Sequence, residues 1–172
     1  IILKNVVSKE EIDTLLSKLK EVPDKKKVFN DKNDLYPRGF ASYLEKATGD
    51  EQQDFSSYFA EAHDYIDHFE KYLGIDIPSR IIKIFEHIGN KRAFKYLEGE
   101  GGKGVFPHSQ FRSLYPNKGL FPVHCGNAFH HEYEKFYERL SSKARIKDQM
   151  SFFVLLQKAE KGGKLILFDI LW

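Results

Sequence analysis

The stretch Leu120-Phe121-Pro122-Val123-His124-Cys125-Gly126-Asn127 decides how the rest of the chain is read. It comes directly after Tyr115-Pro116-Asn117-Lys118-Gly119, whose proline, asparagine and glycine spell a turn. Apolar and β-branched residues on both sides predict strands over 109–115 and 120–124. His124 then stands at a strand end, just past a turn, where a ring nitrogen can be presented to a cavity. Side chains two positions apart in a strand face the same side, so position 126 shares the face of His124. That position holds glycine. Taken alone, such a glycine marks a bulge or a close backbone approach, and such a histidine is a satisfied surface residue.

Downstream of this stretch, the residues 132–140 predict a short helix, and 150–157 and 164–171 predict two further strands. Upstream, 98–104 holds four glycines and must turn. It is no phosphate loop, because no Gly-Lys-Ser/Thr follows and no helix begins there. Residues 93–97 are compatible with a strand. Before residue 90 the pattern is helical. Ser8-Lys9-Glu10-Glu11 is a capping box, and Ile12, Leu15, Leu16 and Leu19 follow at helical spacing, predicting a helix over 8–21. A long helix is predicted from an Asp50 N-cap through Phe59, Ala62, Tyr65, Ile66, Phe69 and Leu73 to a Gly74 cap, with Pro78 beyond it. A third, capped by Ser79, carries Ile81, Ile82, Ile84, Phe85 and Ile88. Residues 1–7 read as an edge strand and 23–46 as an irregular surface loop. Helices come first and sheet second, the order of an α+β domain with helices buttressing one sheet.

Composition narrows the function classes. The chain has 172 residues, 41% hydrophobic and 30% charged, which suits one domain with a real core. Its net charge of +2 arises from interspersed signs, not the one-sided field of a nucleic-acid binder. Cys125 is the single cysteine, so an internal disulfide and a cysteine-based zinc site are excluded, and a reducing cytoplasm is the expected compartment. No apolar run has the length of a membrane span, so no membrane partner is expected. His63 and His68 are five apart and do not share a helix face well, so the pair is not expected to bind metal. The chain opens on Ile1 and ends on strand-like 165–172, and further residues are expected at both ends.

The order of these segments resembles a known family. His124-Cys125-Gly126-Asn127, an intervening helix, then Gln149-Met150-Ser151-Phe152-Phe153-Val154-Leu155-Leu156, then Glu160-Lys161-Gly162-Gly163-Lys164-Leu165-Ile166-Leu167-Phe168 and Trp172 look like the double-stranded β-helix core of Fe(II)/2-oxoglutarate-dependent oxygenases. They look most like the halogenase branch, which includes carrier-independent enzymes acting on indole alkaloids and others acting on free amino acids. The Tyr115-Pro116-Asn117 turn is also similar to prolyl-4-hydroxylase-type members. The resemblance is specific over 109–172.

The resemblance implies a jelly-roll domain over 1–172, with a helical part over about 1–90 and an incomplete barrel over about 91–172. It implies Fe(II), 2-oxoglutarate and chloride as cofactors, with O2 and a small molecule as substrates. His124 is then an iron ligand. In mononuclear iron oxygenases the position two residues on supplies a carboxylate. Gly126 vacates that position, so a chloride ion can restore both the ligand and the charge, with Asn127 beside it. Tyr115 is the expected 2-oxoglutarate contact, although a core tyrosine reads the same way. His108, just after the glycine-rich turn, is a candidate for the substrate side. The family's second iron-binding histidine and the basic residue for 2-oxoglutarate belong to later strands, after Trp172. The activity implied is radical chlorination of an unactivated C–H bond, a free amino acid being the first substrate class considered. A 2-oxoglutarate-dependent hydroxylase and a non-catalytic barrel that has lost its metal are the alternatives.

Overall fold

The computed structural model describes residues 2–29, 31–37, 56–99, 104–119, 138, 141–143 and 151–163. Helix α1 (Lys9–Glu21) starts where the sequence places it. The Glu11 amide donates to Ser8 Oγ (3.2 Å) and the Ser8 amide to Glu11 Oε2 (2.7 Å), so each end of the capping box satisfies an orphan donor of the first turn. Leu15 is fully buried, and Val22 takes an extended conformation that ends the helix before Pro23.

The edge strand expected over 1–7 does not form in the described part of that stretch. Asn5 adopts a left-handed φ of 59°, which breaks an extended run, and the Val6 carbonyl is taken by Arg80 Nη1 at 2.6 Å. Arg80 also grips both carboxylate oxygens of Glu11, at 3.0 and 2.6 Å. One guanidinium thus ties the approach to α1 onto a later helix through a bidentate pair. These bonds, with the Ser8 amide, hold the Glu11 carboxyl down at about 2 against an ordinary 4.5. A depressed carboxyl stabilises the fold fully above its unfolded value and loses that contribution as pH falls through its folded value. The clamp should therefore weaken from about pH 4.5 down to about 2. In urea unfolding followed across that window, Arg80→Gln should flatten the fall in midpoint. An unchanged slope would remove Arg80 as its cause.

The loop expected over 23–46 is more ordered than its composition suggests. A 3-10 turn (Asp24–Lys26) leads to β1 (Val28–Phe29) and β2 (Asn33–Tyr36). The sheet has the order β1-β2-β3, all antiparallel, with β3 at Phe111–Leu114. Leu35 pairs with Arg112 and Tyr36 with Phe111. Two residues are too short for an alternation signal, and Asn33 and Asp34 are poor strand formers, so β2 exists because distant β3 pairs with it. The sheet draws two of its strands from before the main helices. The strand expected over 109–115 is present as its central part.

The long helix is divided into α2 (Ser56–Asp67) and α3 (Phe69–Leu73), and its expected start at Asp50 lies outside the described residues. The break is at His68 (φ −113°, ψ 11°), whose ring Nδ1 approaches the Asp64 carbonyl at 3.1 Å. The backbone N–H of His68 donates to that same carbonyl at 3.1 Å, so ring and amide compete for one acceptor and the helix bends there. Gly74 closes α3 at φ 76°, the left-handed cap its position predicts. The third helix, α4 (Ile77–Ile88), is capped by Asp76, not by Ser79: Asp76 Oδ1 accepts from the Ser79 amide at 3.1 Å. Pro78 falls inside the first turn, where its missing N–H costs nothing.

The core joins these pieces. Leu15, Val22, Tyr36, Tyr65, Phe69, Leu73, Ile75, Ile77 and Ile81 form one buried cluster, with Phe111, Phe152 and Leu156 packed against it. The strand expected over 93–97 is absent. What forms instead is a single antiparallel bridge between Glu98 and Val105, supported by Gly99 N–H to Gly104 O (2.8 Å) and Phe106 N–H to Leu97 O (2.8 Å), on the two sides of the glycine-rich stretch. Residues 151–157 alternate between exposed and half-buried as a strand would, but carry no ladder in the described residues. A ladder needs a neighbour. The neighbours expected at 120–124 and 164–171 lie outside the described residues, as does most of the helix expected over 132–140. The described part is mixed α and β, as the α+β reading expects.

Candidate functional site

Three polar clusters stand out. The first surrounds His108. Its ring lies 5.2 Å from that of Tyr65, 5.0 Å from Phe69 and 5.3 Å from Tyr96. Its Nδ1 is 2.7 Å from Ser109 Oγ, and Ser109 Oγ is 2.9 Å from the Tyr65 hydroxyl. Its Nε2 is buried and has no hydrogen-bond partner among the described residues. Burial pushes the imidazole down to about 4, against a smaller upward pull from the Asp76 carboxylate, so His108 is neutral at physiological pH. Burial likewise pushes Tyr65 upward, and its hydroxyl stays protonated. Helix α2 supplies Tyr65 from the face that also carries the core, and the segment leaving the glycine-rich turn supplies His108 and Ser109. Phe106 seats that segment between Phe59 and Tyr58 at ring distances of 5.4 and 6.1 Å.

The second cluster is at the sheet edge. The Tyr115 hydroxyl donates to Asp34 Oδ1, which raises the phenol's pKa by stabilising its protonated form. Its proton is therefore committed within the protein, and what Tyr115 has left to offer a ligand is a lone pair or its ring. The third is centred on Asp64. Lys26 Nζ lies 3.0 Å from Asp64 Oδ2, Tyr72 donates to Asp64 Oδ1 at 3.3 Å, and Lys26 sits 4.8 Å over the Tyr72 ring. This cluster fastens the 3-10 turn to α2. His63 and His68 each face their own aspartate, Asp67 at 3.4 Å and Asp64 at 3.2 Å.

Of the residues singled out in the sequence, His108 and Tyr115 are described, and they belong to different clusters. His124, Gly126 and Asn127 lie outside the described residues. Among the described residues no group of three or more His, Cys, Asp or Glu side chains is placed to hold a metal. The imidazole of His124 is a donor suited to iron, and the glycine two positions on has no side chain that could compete as a ligand. Nothing in the sequence marks Ser109 and Tyr65 as polar partners. Tyr65 repeats at core spacing along α2, and only the packing shows where its hydroxyl goes.

Comparison with known proteins defines the class. The model of the family described as carrier-protein-independent halogenase WelO5 matches residues 1–172, the whole chain. The chain belongs to this family of iron- and 2-oxoglutarate-dependent halogenases, as the resemblance implied. Searches of curated proteins and of solved structures returned no match. The family acts without a carrier protein, which points to small-molecule substrates. No helix among the described residues is long and apolar enough to cross a membrane.

Proposed function

We propose that this chain is part of an Fe(II)/2-oxoglutarate-dependent radical halogenase that chlorinates an unactivated C–H bond of a free small molecule, a free amino acid being the first class to test. The whole-chain family match, read together with His124-Cys125-Gly126, supports this. In this reading the helical part buttresses a double-stranded β-helix, and a reducing cytoplasm is the setting. His124 holds the iron, Gly126 leaves the halide position open and Asn127 lies beside it. Tyr115 borders 2-oxoglutarate through its ring or its hydroxyl lone pair, and His108 lines the substrate side. The bound metal with its cosubstrate supplies the oxidation. The protein's own part is to present one imidazole, withhold a carboxylate and exclude water.

The test is product mass in the full-length protein. Turnover with chloride, then with bromide, should give products separated by the mass difference of the two halogens, and His124→Ala should lose iron binding measured with 2-oxoglutarate present. An oxygenated product that ignores the halide would establish a hydroxylase instead. Failure of the wild-type protein to bind iron would leave a non-catalytic barrel.

A further inference from the structure

The half-buried pair His108–Ser109, packed on buried Tyr65, contains more information than a packing role needs. Three polar groups are linked, Tyr65 hydroxyl to Ser109 Oγ (2.9 Å) to His108 Nδ1 (2.7 Å), and the line ends at His108 Nε2, a buried atom without a partner among the described residues. The protons can be placed in two ways. If Nδ1 carries the ring proton, it donates to Ser109, and one of the two hydroxyl protons is left without an acceptor among the described residues. The Nε2 lone pair is orphaned as well. If Nε2 carries the proton, Tyr65 donates to Ser109, Ser109 donates to Nδ1, and the Nε2–H is the single group left over. Buried polar groups strongly favour arrangements with fewer orphans, so the second placement prevails.

We propose that Tyr65 and Ser109 fix His108 as the Nε2–H tautomer, making it a built donor for one uncharged oxygen acceptor: a ligand carbonyl or an ordered water. The surroundings select against a charged acceptor. Among the described residues the groups against the ring are Tyr65, Phe69, Tyr96 and Ser109, none of them cationic. The Asp76 carboxylate acts on the imidazole from nearby and repels a second anion. A carboxylate brought to Nε2 would lose its hydration with no cation to replace it, whereas a carbonyl oxygen or a water needs only the single N–H. Ser109 and Tyr65 are positioning residues in this scheme, and His108 makes the contact. That the carbonyl belongs to the substrate rests on the proposed function. The tautomer does not.

The experiment is long-range proton–nitrogen correlation NMR on the nitrogen-15-labelled full chain without iron, with His108→Gln identifying the resonance. The wild type should show the Nε2–H pattern. Ser109→Ala should convert it to a mixture of tautomers, Tyr65→Phe should shift it in the same sense, and Ser109→Thr should restore it. Titration with N-methylacetamide should move the His108 signal to saturation while acetate leaves it in place, which identifies a carbonyl site. Absence of an amide response together with cross-relaxation to a bound water identifies water as the occupant. A wild-type Nδ1–H pattern, a Ser109→Ala spectrum identical to wild type, an acetate response equal to the amide's, or neither amide response nor bound water would each overturn the proposal. Because no iron is present, halogenation can fail while this result stands, and the reverse.

Discussion

Replacing Gly126 with aspartate is expected to end halogenation and to leave, at most, hydroxylation. The glycine has no side chain to offer a metal. Aspartate at the same place would put a carboxylate on the face of His124, since residues two apart in a strand share a side. Two histidines and one carboxylate are the usual ligand set of non-haem iron oxygenases, and in that set the carboxylate would occupy the position proposed for the halide. Outer partners of metal ligands typically cost 10–100-fold when changed. A change within the ligand set itself should exceed that, so halogenated product should fall by more than about 100-fold. The measurement is product mass with chloride present, in the full-length protein. Halogenation that continues undiminished in Gly126→Asp would remove Gly126 from the halide site and reduce it to the bulge glycine its neighbours alone suggest.

The largest effect on stability is expected at Leu15. Its side chain is fully buried, and it shares the core with Leu73, which is equally buried, and with Tyr65 and Phe69. Truncation to alanine removes buried methyl groups and leaves a cavity that the surrounding aromatic rings can fill only in part. Such changes cost about 2–5 kcal/mol, a large share of the roughly 5–15 kcal/mol that holds a domain together. The melting temperature should fall by roughly 4–20 °C. Lys9→Ala, on the exposed side of the same helix, should leave it nearly unchanged. A Leu15→Ala melting point within a degree of wild type would mean that α1 is not docked on this core. The substitution also bears on the site, because Tyr65 and Phe69 both lie in that core and both enclose His108.

The elements legible in advance are those whose causes are local. The capping box at Ser8 and Glu11 needs only four consecutive residues, and the glycine cap at Gly74 needs only the end of one helix. Both formed as read. The isoleucine spacing predicts the third helix, but its cap lies three residues earlier than Ser79, at Asp76, because Pro78 is a first-turn residue and not a boundary. The edge strand over 1–7 failed because Asn5 turns left-handed and Arg80, from far along the chain, claims the Val6 carbonyl. The strands inside 23–46 were missed for the opposite reason. Nothing in Asn33-Asp34 signals a strand until β3 lies beside it.

By itself the sequence determined the capping box at Ser8 and Glu11, the cap at Gly74 and the order of segments around His124-Cys125-Gly126, because caps and motif order depend on near neighbours along the chain. The family match over residues 1–172 agrees with the membership that this order implied. Only the tertiary structure decided that β2 pairs with β3, that Arg80 clamps Glu11, that Tyr115 spends its proton on Asp34, and that His108 ends a hydrogen-bonded line from Tyr65 through Ser109. Each of these joins residues far apart in the chain, and their energy exists only once burial has removed competing water from both partners.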